Sequence, residues 1–171
     1  MFKNNTRLKL VDDVIYKSTG LIISEINEEK QNAEYDGYTF KLSNKNSSKH
    51  IRFRVAKITP NKIGQFVSFW EKDINNINQP YSTDNTPDLL VISAFNENKF
   101  GQFVFPKDIL IKKNIIKSSE AKGKMGMRIY PAWDKPTSKA ALQSQHWQLD
   151  YFFEVSEISS LLKDRILALY F

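Results

Sequence analysis

Residues 51–70, IRFRVAKITPNKIGQFVSFW, join two apolar runs through a proline turn, and few architectures accommodate that order. Ile51, Phe53 and Val55 alternate with Arg52 and Arg54, the period of a strand with two unlike faces. Beyond Thr59-Pro60, the residues Ile63, Phe66, Val67 and Trp70 recur at i, i+3, i+4, i+7, which predicts an amphipathic helix. Thr59 is its expected N-cap, and Pro60 takes the first helical position, where the missing N–H costs nothing. A strand that feeds a capped helix offers free backbone N–H groups and a positive helix end to an anion. Lys57 and Lys62 flank that junction.

The remaining periodicities place this unit in a mixed chain. Leu8, Val11 and Ile15 predict a first helix over residues 6–17, with Thr6 as its cap and Thr19-Gly20 as its end. Asp36-Gly37 turns the chain into a strand at Tyr38–Leu42, which forms a hairpin with the central strand. Leu89–Phe95 is continuously apolar, the mark of a strand buried on both faces, and Phe100–Phe105 returns beside it. Pro106 and Asp108 open a short helix, and Met125–Tyr130 reads as another strand. Thr137 or Ser138 caps a helix through Leu142, Trp147–Val155 alternates like a strand, and Ser156 caps a final helix that buries Leu161 and Ile166. The polar stretch from Glu71 to Asp88 is long enough to be a lid or a loose spacer. Together these elements predict a mixed α/β (α+β) fold, one domain over residues 1–171 with a single mixed β-sheet flanked by helices.

Composition narrows the function classes. The chain has no Cys, so disulfides and thiolate metal sites are excluded, and the default setting is cytoplasmic. No apolar run reaches membrane-spanning length, and the N-terminal residues lack the apolar stretch of a signal peptide. The net charge of +6 is concentrated: between Lys107 and Lys139 nine Lys/Arg face three carboxylates, and the rest of the chain is neutral. A localised basic patch suits nucleic acid, phosphate or an acidic partner, and equally a solvated lysine-rich loop.

Candidate site residues follow from that balance. Only two His occur, His50 and His146, far apart, and no acidic cluster has metal-ligand spacing, so no metal and no cofactor is expected. No glycine-rich phosphate loop or nucleophile elbow is present. The polar and aromatic groups nearest the central unit are Lys57, Lys62, Gln102, Arg128, Tyr130 and Trp133, of the kinds that contact phosphate and stack on bases. They favour a non-catalytic binding protein for an anionic ligand, nucleic acid in particular. The alternatives are an enzyme or sensor for a small toxic compound and a divergent metal-dependent nuclease.

The motifs FRVAKITPNKIGQFVSFW, FGQFVFPKDILIKKNII, GMRIYPAWD and WQLDYF, in register over most of the chain, closely resemble the MepB family. That family takes its name from a protein encoded beside a multidrug efflux transporter and has no established biochemical activity. A second resemblance is to the restriction-endonuclease-like fold, in which a helix, a strand hairpin, a second helix and a further strand carry an acid-x-lysine triplet. Val55-Ala56-Lys57 falls in that slot: Lys57 fits, whereas Val55 cannot hold the metal that activates water. Glu34, Asp36 or Asp88 would have to supply the missing carboxylate.

Overall fold

The computed structural model describes residues 7–171. The described residues begin with a continuous helix over residues 7–19 (α1), in which Arg7–Val11 and Lys17–Thr19 are α-helical and Asp12–Tyr16 form a π-helical turn. Gly20, at φ 78°, ends it in the left-handed conformation that glycine tolerates best. The expected cap Thr6 lies outside the described residues. Three antiparallel strands follow, β1 (Ile22–Glu28), β2 (Tyr38–Ser43) and β3 (Ser48–Val55). A 3₁₀ segment, Lys30–Tyr35, separates the first two.

A small second sheet comes next. Strand β4 (Lys57–Ile58) pairs antiparallel with β5 (Gln65–Ser68), and a ribbon of β6 (Glu71–Lys72) and β7 (Asn78–Gln79) projects beyond it. The chain then returns through β8 (Leu89–Asn96) and β9 (Lys99–Pro106) into the short helix α2 (Lys107–Lys112). Strand β10 (Gly126–Ile129) joins the free edge of β5, and helix α3 (Lys139–Leu149), strand β11 (Phe152–Val155) and helix α4 (Ser160–Tyr170) complete the chain.

The main sheet has the order β1-β2-β3-β8-β9-β11, and β3–β8 is its one parallel pair. The expected mixed α/β architecture therefore holds. Two cores cover the sheet. One packs Leu8, Val11 and Ile15 of α1 and Ile166 of α4 against Ile51, Phe53, Val91 and Val104. The other packs Ile92, Phe103 and Phe105 against Val67, Phe69, Leu110, Ile116 and Ile129. Burial on both faces explains why β8 is apolar throughout.

Several expectations fail locally. The helix expected from Ile63 to Trp70 is instead strand β5, with Gln65, Val67 and Phe69 buried and Phe66, Ser68 and Trp70 half-buried. A short Ile/Phe/Val/Trp run satisfies both periods, and pairing with β4 and β10 selects the strand. Thr59 is therefore no helix cap, and the helix N-terminus expected between Lys57 and Lys62 does not form. The helix that the restriction-endonuclease-like comparison calls for after the central strand is replaced by the small sheet.

The alternation at Trp147–Val155 is helical as far as Leu149, because Ser138 caps α3 by accepting a bond from Ala141 N and the helix runs on. Strand structure starts only at Phe152. Helix α4 is capped by Ser159 rather than Ser156, and Leu161 is 80% exposed instead of buried. The basic segment after α2 is more than an open loop, since Ile115 and Ile116 are buried in the second core.

Candidate ligand-binding clefts

The six residues singled out by sequence separate into distinct places. Gln102 is fully buried: its amide donates to Ser93 Oγ at 2.9 Å, and its carbonyl accepts from Tyr170 OH at 2.8 Å. The Tyr170 hydroxyl also lies 3.1 Å from Tyr16 OH, so Gln102 belongs to a polar chain inside the first core and contacts no ligand surface. Burial pushes the phenols of Tyr16 and Tyr170 above the ordinary tyrosine value.

Lys57 and Arg128 are both opposite Phe66 in the register β4-β5-β10, so the three side chains share one face of the small sheet. Neither cation points freely into solvent. Lys57 Nζ is 3.0 Å from Glu34 Oε2 and 4.7 Å from the centre of the Tyr35 ring. Arg128 Nη1 donates to Gly64 O at 3.0 Å and Nη2 to Thr59 Oγ1 at 3.0 Å, which clamps the β4–β5 loop. Gly64 at φ 83° lies so close to Tyr130 that an added Cβ would stand 2.7 Å from the ring.

Lys62, at the tip of that loop, shares a cleft of about 320 Å³ with Trp133, Gln65, Asp134 and Lys135. Trp133 packs edge-on against Phe152, and its Nε1 is buried without a hydrogen-bond partner. Burial raises the Asp134 carboxyl above its ordinary value, against the opposing pull of Lys99. Gln145 holds this turn by donating to Pro131 O at 3.1 Å and Asp134 O at 3.0 Å.

Arg128 and Tyr130 line a second cleft, of about 200 Å³, between β10 and α3. Gln148 builds it. From the helix, its Oε1 accepts from Tyr130 N at 2.9 Å and its Nε2 donates to Arg128 O at 3.0 Å, so one side chain completes the edge of β10. Lys113 and Lys124 are the other cations in the lining, which contains no carboxylate. Trp147 shares the wall, 5.3 Å from Phe105 on its core side and 5.3 Å from Lys113 Nζ. Sequence placed Lys113 and Lys124 only within a basic segment, and Trp147 only in a strand; their convergence depends on α3 continuing past Leu142.

Another cleft, of about 460 Å³, is lined by β1, β2, β3 and the loop over residues 84–88. Behind it lies a charged group that alternation hinted at but did not bury. Arg54 is fully buried, with Nη1 2.7 Å from Glu29 Oε2 and Nη2 2.9 Å from Tyr81 OH. Arg52 donates from Nε to Glu29 and lies 3.5 Å from the centre of the Tyr81 ring. Val55, in the slot where a nuclease carries its acid, packs against the first core. Among the described residues, no group of three or more His, Cys, Asp or Glu side chains is placed to hold a metal ion. No described helix is long and apolar enough to cross a membrane.

A mixed six-stranded sheet with polar clefts opening beside β3 and β10 defines an α/β protein with ligand-sized surface sites. The chain belongs to the MepB-like family, whose family model matches residues 29–154. It is also similar to a solved structure described as "Crystal Structure of MepB", with a TM-score of 0.75 and 37% sequence identity, covering 92% of this chain and 100% of that one. No curated protein matches. The matched residues include the basic cleft, the Arg52–Arg54–Glu29 group and the small sheet, and leave out helices α1 and α4.

Proposed function

We propose that this protein is a non-catalytic binding protein for an anionic ligand, nucleic acid in particular, which it holds along β10. The observation that carries the proposal is the convergence of Lys113, Lys124 and Arg128 on one cleft whose lining has no carboxylate. Cations gathered in a concave site raise the local potential and attract phosphate. Trp147 and Tyr130 in the same wall supply aromatic surface for base contact. Lys57, Phe66 and Arg128, in one row of the small sheet, extend the path beyond the cleft. Lys62, on the loop that Arg128 clamps, lines a separate cleft with Trp133. Gln102 has no part in it.

Fluorescence anisotropy with labelled single-stranded and duplex DNA and RNA, repeated across salt concentrations, tests the proposal. Affinity falls with ionic strength, and Lys113→Gln with Lys124→Gln together reduces the log–log salt slope by about 1.4 to 1.8, from roughly 0.7 to 0.9 per phosphate contact. Lys163→Gln, on an exposed position of α4, leaves the slope unchanged. Absence of salt-sensitive binding to every one of these probes removes the proposal.

A further inference from the structure

The β6–β7 ribbon holds an apolar side chain away from the rest of the molecule on a backbone that is fixed. At its tip Asp73 N donates to Ile77 O at 2.9 Å, and Asn76 N donates to Asp73 O at 3.0 Å. The Asp73 carboxylate accepts from the N–H groups of Asn75 and Ile77, both at 2.8 Å, and Lys72 Nζ donates to Asn76 O at 3.1 Å. Asn76 sits at φ 62°, a left-handed position that asparagine tolerates. On this closed turn Ile74 is 100% exposed, more than any other large apolar side chain among the described residues, and Ile77 is 61% exposed. Single exposed apolar residues are common. The hydrogen-bonded turn beneath Ile74 and the second isoleucine beside it distinguish this one.

The foot of the ribbon shows what the tip meets. Ahead of β6, buried Asn32 donates to Trp70 O at 3.0 Å, and Phe69 N donates to Met125 O at 2.9 Å. Behind β7, Lys117 N donates to Tyr81 O at 2.7 Å. Both legs are thus tied to the basic segment between α2 and β10, and Lys124 of that segment lines the basic cleft. Trp70 and Lys72 share one face of the ribbon, with Lys72 Nζ 5.4 Å from the centre of the Trp70 ring. The ribbon's carboxylates are occupied, Asp73 within the turn and Glu71 by Gln79 and Asn85. A net charge of +6 repels a second copy of the chain and attracts a polyanion.

Nucleic acid offers an apolar side chain one kind of surface, the face of a base. Inside a continuous duplex that face is reached only by unstacking, which costs energy. Where a duplex gives way to single strand, the face of the last pair is already free.

We propose that Ile74 is a wedge that packs on the last base pair of a duplex at its junction with single strand, while the basic segment at the ribbon's foot holds neighbouring phosphates. The inference rests on the nucleic-acid reading above and names its target as a junction. Fluorescence anisotropy of the full chain with a forked duplex, a blunt duplex and a single strand of equal phosphate count tests it. The fork binds at least about tenfold more tightly than the other two. Ile74→Ser with Ile77→Ser, both outside the core, leaves Tm and single-strand affinity unchanged and abolishes the preference for the fork. The wedge is overturned if the fork binds no more tightly than the single strand, or if the double variant keeps the preference. Salt-sensitive single-strand binding without fork preference removes the wedge alone, whereas no binding to any probe removes the nucleic-acid reading with it. Sedimentation with phosphatidylserine–phosphatidylcholine vesicles that the double variant abolishes, with no fork preference, assigns the tip to a lipid surface and likewise overturns the proposal.

Discussion

Replacement of Gln148 by leucine tests the architecture on which the basic cleft depends. Gln148 is 2% exposed and holds two backbone groups of β10, the N–H of Tyr130 and the carbonyl of Arg128. Leucine has similar volume and keeps the helix, so the chief loss is hydrogen bonding at a strand edge. Each backbone group left buried without a partner costs about 1–3 kcal/mol, which gives roughly 2–6 kcal/mol for the pair. For a domain of this length that corresponds to a fall in Tm of roughly 4–24 °C. Urea unfolding measures it as a lowered midpoint at unchanged m-value, and hydrogen exchange shows lost protection at the Tyr130 amide. Gln143→Leu, at an exposed position of the same helix, serves as the control and stays within about 0.5 kcal/mol. A loss under about 1 kcal/mol for Gln148→Leu, with Tyr130 still protected, refutes the bridging role.

Other perturbations separate packing from binding. Gly64→Ala forces a left-handed backbone on a residue with a Cβ and drives it against Tyr130, at a cost of about 2–4 kcal/mol in urea unfolding. Gln102→Leu removes the partner of Ser93 Oγ, leaves the Tyr170 hydroxyl only that of Tyr16, and costs about 1–3 kcal/mol, while oligonucleotide affinity is unchanged. Burial raises the Tyr16 and Tyr170 phenols, so the folded state keeps protons that the unfolded chain releases above its ordinary tyrosine value of about 10. Stability conferred by these phenols is therefore complete below that pH and lost as pH rises beyond it. Chemical unfolding at stepped alkaline pH reads this as a falling midpoint, and Tyr170→Phe flattens the fall.

What the sequence determined by itself was the set of elements whose pattern admits one period. Leu8, Val11 and Ile15 belong to a helix because only that spacing puts them on one face, and the unbroken run at β8 requires cover on both sides. The serine at position 138 and the glycine at position 20 mark boundaries through local chemistry that needs no distant partner. Residues 63–70 fit a helix and a strand equally well, and pairing with the neighbouring β4 and with β10, which lies far along the chain, made the choice. The basic cleft was likewise legible only as charge in one third of the chain. Its position depends on Gln148 docking α3 against β10, a contact spanning 20 residues that no local pattern encodes. Alternation placed Arg52 and Arg54 on one face of β3, but only the second core, closing over that face, buried them with Glu29.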